Sequence, residues 1–133
     1  VTRLYLDASA IIYMLEGHPH FGDPTQRRVL QHLEESTAKV VTSRISRLEC
    51  RVRPLRDGNP GLLAEYERFF VGDRLELMDV TTETIERATD LRARYRFKSV
   101  DALHLATAIE HGAAGVLTGD PAWRRCDEVA ASH

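Results

Sequence analysis

The chain has 133 residues, of which 43% are hydrophobic and 29% charged, with a formal net charge of −2. That length suits one domain (1–133) with a sizeable core, and the charge excludes a globally basic nucleic-acid binder. No apolar run approaches the roughly 20 residues of a membrane span, no signal segment is expected, and the only cysteines, Cys50 and Cys126, suggest no disulfide framework, so a cytoplasmic protein without a membrane partner is expected.

Arg3-Leu4-Tyr5-Leu6 reads as a short buried strand ending at Asp7. Ser9 to Leu15 then turns helical and closes near Gly17, and His18, Pro19, His20 and Pro24 are expected in a solvated loop. A helix over about 25–35 directs Val29, Leu30 and Leu33 inward. Lys39-Val40-Val41-Thr42 is the second strand, and Ser43 is a good cap for a helix from Arg44. That helix carries Ile45, Leu48 and Val52 at i, i+3 and i+7, with Glu49 beside Leu48, and Pro54 is expected to bend or end it.

Asp57-Gly58-Asn59-Pro60-Gly61 is a turn, followed by an amphipathic helix through Phe70 that closes near Gly72. Leu75 to Val80 alternates as a third strand. A helix over about 83–95 faces Ile85, Ala88 and Leu91 inward. The next helix, with Ser99 as expected cap and Asp101 in its first turn, places Ala102, Leu105, Ala106 and Ile109 on one stripe. Ala113 to Thr118 is the fourth strand, ending at Gly119-Asp120, with Trp123 expected to pack nearby. After Trp123 any fifth strand is very short or missing. Strands alternating with helices imply a mostly parallel sheet of four to five strands with helices on both faces.

Four acids stand out. Asp7 and Asp120 each follow a buried strand, at the sheet edge where α/β proteins bind ligands. Glu49 lies in the helix after the second strand, and Asp101 opens the helix that feeds the fourth. Converging carboxylates repel unless a cation joins them. A hard, oxygen-preferring ion such as Mg²⁺ or Mn²⁺ is the simplest solution, and it suits phosphodiester hydrolysis. Ser9 and Thr118, each two residues from an acid, are placed to support those carboxylates. Sixteen of the 18 basic residues are Arg, all but Lys39 and Lys98; this suits an RNA partner, and GC-rich codon usage produces the same bias.

The segments Leu6-Asp7-Ala8-Ser9-Ala10, Ser43-Arg44-Ile45-Ser46-Arg47-Leu48-Glu49, Ser99-Val100-Asp101-Ala102-Leu103-His104-Leu105-Ala106-Thr107-Ala108 and Leu117-Thr118-Gly119-Asp120 together resemble the PIN-domain family, and within it the VapC-type toxin ribonucleases. The resemblance spans nearly the whole chain. It implies an α/β/α sandwich and a divalent-metal site whose acids fall on Asp7, Glu49, Asp101 and Asp120, with Ser9 and Thr118 at the supporting hydroxyl positions. It also implies endonucleolytic RNA cleavage, a homodimer, and a VapB-like antitoxin whose C-terminal segment covers the site. Gly119 departs from the Asn often found there in the family, and the short C-terminus departs from the family's last strand.

Other residues carry weaker expectations. His104 reads as a packed or hydrogen-bonded helix residue, Cys50 as packing, and Arg44 and Arg47 as either RNA contacts or solvated charges. Two other functions are weighed against the nuclease. A haloacid-dehalogenase-like phosphatase needs a second Asp two residues after Asp7, where this chain has Ser9, and a Lys after the acids, which is missing. A non-catalytic PIN-like module binding RNA or protein is expected to lose some of the acids, and this chain keeps all four.

Overall fold

The computed structural model describes residues 2–129 and 131–132. Strands β1 (Arg3–Leu6), β2 (Lys39–Ser43), β3 (Leu75–Met78), β4 (Gly115–Leu117) and β5 (Ala131–Ser132) form one sheet in the order β3-β2-β1-β4-β5. Every neighbouring pair is parallel, with Leu4 opposite both Val40 and Gly115, and Leu6 opposite Leu117.

Side chains alternate across such a sheet, so each central strand feeds two cores. Leu4, Leu6, Val40 and Leu117 pack under α1 (Ala8–Glu16), α2 (Gly22–His32), α3 (Arg44–Arg56) and α4 (Pro60–Phe70). Tyr5, Val41 and Val116 point the other way, into α5 (Thr82–Tyr95), α6 (Ser99–Glu110) and Trp123 of a short 3₁₀ helix, Pro121–Arg125. This is the expected α/β/α sandwich. The last strand is present, reduced to two residues, and Thr118 N donates to Ser132 O at 2.9 Å alongside it.

Several local expectations need correction. α2 begins at Gly22, three residues early, with Pro24 in its first turn, where the missing N–H has no intrahelical acceptor to lose. It buries Thr25 and Val29 at i and i+4, which leaves Leu30 off the seam and 59% exposed. α3 turns Ser46, Cys50 and Pro54 inward, so Leu48, Val52 and Leu55 line its outer face. Pro54 sits in the last turn, and the helix ends soon after it, at Arg56. On α5, Ala88 and Leu91 are buried with Thr84, and Ile85 is exposed.

α6 is capped at Lys98 rather than Ser99, without a side-chain bond. Lys98 carries the extended backbone of a cap, and the Asp101 carboxylate stands in the first turn, where the helix dipole favours it. α6 buries Ala102, Leu105 and Ala106 as expected and also His104, Thr107 and Ala108, while Ile109 of the expected stripe is partly buried. Among the described residues no helix is long and apolar enough to cross a membrane.

The α5–α6 turn depends on Arg96, held at φ 61° in the left-handed region, while Arg92 Nε donates to Phe97 O at 2.8 Å. A side chain in that region costs about 1–2 kcal/mol that glycine avoids, at some cost in chain entropy. Arg96→Gly is therefore expected to stabilise the fold by about 0.5–1 kcal/mol, read as a higher thermal midpoint.

Candidate functional site

Asp7 directly follows β1 and caps α1, where the strand runs straight into a helix. The residue is 5% exposed, and its carboxylate carries three hydrogen bonds. Oδ1 accepts from Ser9 Oγ at 2.7 Å and from Ala10 N at 2.8 Å, and Oδ2 accepts from Thr118 Oγ1 at 2.6 Å. The parallel β1–β4 register brings Thr118 there, one residue beyond the Leu6–Leu117 pair.

The same hydroxyls tie down the neighbouring chain. Gly119 N donates to Ser9 Oγ at 2.8 Å, and Asp120 N donates to Thr118 Oγ1 at 3.1 Å. Asp120 in turn caps the 3₁₀ helix by accepting from Ala122 N at 2.9 Å. Asp7, Ser9, Thr118 and Asp120 are thus one hydrogen-bonded unit at the carboxyl edge of the two central strands.

Glu49 and Asp101 arrive from different elements. Glu49, on α3, is held by His104 of α6, whose Nε2 lies 2.7 Å from Oε1. The other ring nitrogen, Nδ1, lies 2.6 Å from the hydroxyl of the fully buried Tyr5. With Nε2–H donating to the carboxylate, a neutral imidazole leaves Nδ1 to accept from Tyr5. His104 is therefore the hydrogen-bonded helix residue expected, and the Tyr5–His104–Glu49 chain positions one of the four acids. The only sequence signals for this chain are His104 one turn beyond Asp101 and Tyr5 two residues before Asp7.

Asp101 makes no direct bond to the other acids; it is coupled to them through space. Burial pushes its carboxyl above the ordinary range, and the Asp120, Asp7 and Glu49 charges push the same way, opposed by His104. Burial likewise raises Asp7, with the Thr118, Ala10 and Ser9 hydrogen bonds pulling it back. Among the described residues no three His, Cys, Asp or Glu side chains gather closely enough to enclose an ion. The donors are all carboxylate oxygens, and they suit a hard cation bound through one or two carboxylates and completed by water.

These raised values fix a direction for stability. A carboxyl whose folded pKa lies above its unfolded one contributes most below the unfolded value, and the contribution is lost as pH rises through the folded value. Metal-free protein is expected to lose stability from Asp7 and Asp101 as pH climbs from the ordinary carboxylate range through their raised values. A divalent cation offsets that charge, so added Mg²⁺ is expected to raise the thermal midpoint more at neutral than at acid pH. Scanning calorimetry with Mg²⁺ and with EDTA checks both.

The remaining candidates fall outside the unit. Arg44 pairs with Asp79, while Arg47 donates to both Glu67 oxygens at 3.2 Å and lies over the Phe70 ring. Both are therefore engaged in ion pairs within the fold. Cys50 is buried packing, and burial raises its thiol far above the usual range.

An all-parallel α/β/α sandwich with a carboxylate site at the edge of its central strands defines the class of protein. A family model for the PIN domain matches residues 4–129, and the chain belongs to that family. Its fold is similar to that of solved VapBC toxin–antitoxin structures. VapBC2 from Rickettsia felis, bound to a DNA fragment from its promoter, matches at TM-score 0.80 and 17% identity over 98% of each chain. DNA-bound VapBC from Salmonella typhimurium matches at TM-score 0.70 and 20% identity, covering 99% of this chain and 98% of that one. VapC20 of Mycobacterium tuberculosis, described as a Sarcin-Ricin loop cleaving toxin, matches at TM-score 0.71 and 17% identity, covering 96% and 98%. Comparison with curated proteins finds no match.

Proposed function

We propose that the chain is a metal-dependent endoribonuclease, the toxin of a toxin–antitoxin pair, acting as one nuclease domain with Mg²⁺ or Mn²⁺. Asp7 carries the reading: the residue is buried at a sheet edge, where burial already disfavours the charge of its carboxylate. In this reading the ion sits among Asp7, Asp101, Asp120 and Glu49, one or two of them binding it directly and the others through its waters. A divalent cation bound there supplies Lewis acidity toward the phosphate and the attacking water.

The chain's own contribution is to fix its acids before substrate arrives. Ser9 and Thr118 hold the two Asp7 oxygens in a single orientation, and Thr118 also anchors the backbone of Asp120. His104 holds Glu49 against α6. Such pre-arrangement is what metal ligands require of the groups behind them.

Family membership and the toxin–antitoxin neighbours support RNA as substrate and an antitoxin as partner. Leu48, Val52 and Leu55, exposed at 63%, 48% and 60%, supply an apolar strip on α3 for a VapB-like segment. A second copy of the chain is the other proposed partner, and light scattering of the purified protein tests it.

The deciding experiment incubates total RNA with purified protein in Mg²⁺, in Mn²⁺ and in EDTA, beside Asp101→Asn. Discrete products that need metal and vanish in the variant are expected, and mapping their ends identifies the substrate. If folded, metal-loaded protein free of antitoxin cleaves no RNA, the non-catalytic binding module takes its place. A metal titration without heat points the same way.

A further inference from the structure

The ion pairs of the fold separate its cations into two groups. Arg44 and Arg47 are neutralised by Asp79 and Glu67, and Arg87 and Arg94 by Glu128. Arg92, Arg96, Lys98 and Arg125 are exposed, and among the described residues none of the four pairs with an acid.

These four gather about one buried ring, Phe97, which is 2% exposed. Arg92 Nε donates to the Phe97 carbonyl at 2.8 Å, and the Arg125 guanidinium lies over the Phe97 ring at 5.0 Å from its centroid. Arg96 and Lys98 flank Phe97 in the chain. Arg125 Nε also donates to Ala122 O at 3.1 Å. Both guanidiniums are thus pinned through Nε, and among the described residues their terminal NH₂ groups carry no bond to protein. Those groups remain for the oxygens of a phosphate. Like charges gathered about one residue repel unless an anion joins them.

Arg96 adds a second observation. It holds φ 61°, where glycine avoids the steric cost. A strained position kept by an arginine points to a use for its side chain.

Two of these cations stand on elements that carry acids of the site. Lys98 caps α6, three residues ahead of Asp101, and Arg125 ends the 3₁₀ helix that Asp120 caps. Asp101 and Asp120 feel each other's charge, so both elements open at one mouth.

We propose that Arg92, Arg96, Lys98 and Arg125 form a phosphate clamp that holds the RNA backbone beside Asp101 and Asp120. The proposal rests on the nuclease reading and names the face of the site along which the substrate lies. Four carboxylates repel a polyanion, and cations on the same elements offset that repulsion. Contacts to phosphate position the strand without reading its bases, so the clamp sets affinity and not sequence choice.

Two measurements test it. Fluorescein-labelled dodecauridylate, kept intact by an Asp7→Asn background, is titrated in Mg²⁺ over a salt series and followed by fluorescence anisotropy. Arg96→Gly, Lys98→Gln and the pair Arg92→Gln with Arg125→Gln are each expected to weaken binding. The slope of log affinity against log salt is expected to fall by about 0.7 per cation removed. Arg44→Gln removes a charge already paired with Asp79, so its slope is expected to match the parent. With Asp7 restored, the clamp variants are expected to raise KM for RNA about 5- to 20-fold, with kcat within about twofold. Arg96→Gly is expected to do so while its thermal midpoint rises, which separates the clamp from the fold.

Unchanged slopes and KM in all the clamp variants overturn the clamp and leave the nuclease reading standing. Reduced slopes without cleavage of any RNA keep the clamp and overturn the nuclease. An oligoglutamate whose binding these variants abolish, with RNA binding unchanged, gives the patch to an acidic peptide and overturns the clamp. Neither RNA binding nor cleavage by folded protein overturns both.

Discussion

Asp7→Asn is expected to lower RNA cleavage at least about a thousandfold, the scale of losing one member of a catalytic set, with a thermal midpoint unchanged or raised. Asn keeps the shape of the side chain and can keep Oδ1, with its bonds from Ser9 and Ala10 N. The change falls on Oδ2, which becomes an NH₂ facing Thr118 Oγ1. That hydroxyl already accepts from Asp120 N and has a second lone pair for the new donor, so its own proton is what loses a partner.

The cost is about 1 kcal/mol for one displaced hydrogen bond. Against it stands relief from burying a carboxylate, the largest influence on Asp7. The two nearly cancel or favour the variant, whereas the acidic oxygen offered to a cation is lost outright. A protein that is more stable without its best-placed acid is keeping that acid for function. Gel-resolved cleavage and a thermal melt, run on one preparation, check both halves. Activity within tenfold of wild type removes Asp7 from the proposed site.

The sheet was legible because alternation in β1, β2 and β4 leaves both faces apolar, as in Leu4-Tyr5-Leu6, and only a parallel sheet covered on both sides accommodates that. Asp7 and Asp120 were legible for the same reason, since strand ends fix which acids reach the carboxyl edge. The face of α3 was not. Helical periodicity assigns Leu48 and Val52 to a core, but the fold packs Ser46, Cys50 and Pro54 and leaves the apolar strip outside. Periodicity identifies an apolar face without saying whether the protein's own core or a partner covers it. The support of Glu49 was out of reach as well. His104 lies 55 positions away, and their contact depends on how α3 and α6 stand across the sheet edge.

Gly119 is where the resemblance and the structure part most clearly, and Gly119→Ala is expected to cost about 1–3 kcal/mol of stability, as overpacking does. The new Cβ would stand 2.3 Å from the Tyr13 hydroxyl and 2.7 Å from two ring carbons. The ring is not free to swing, because His18 and Phe21 pack against it at 4.6 and 5.4 Å. Strain therefore passes into the segment between β4 and the 3₁₀ helix, which carries Thr118 and Asp120. Displacing those groups by an ångström is expected to lower cleavage about 10²-fold as well.

An Asn at this position would need a smaller neighbour than Tyr13. Tyr13→Ala opens that space, so combined with Gly119→Ala or Gly119→Asn it is expected to lose less stability than the two single changes summed. Contacting residues couple in this way, and a thermal double-mutant cycle measures the difference. Strict additivity would mean that Tyr13 yields freely, and Gly119 would then answer to some constraint other than the ring.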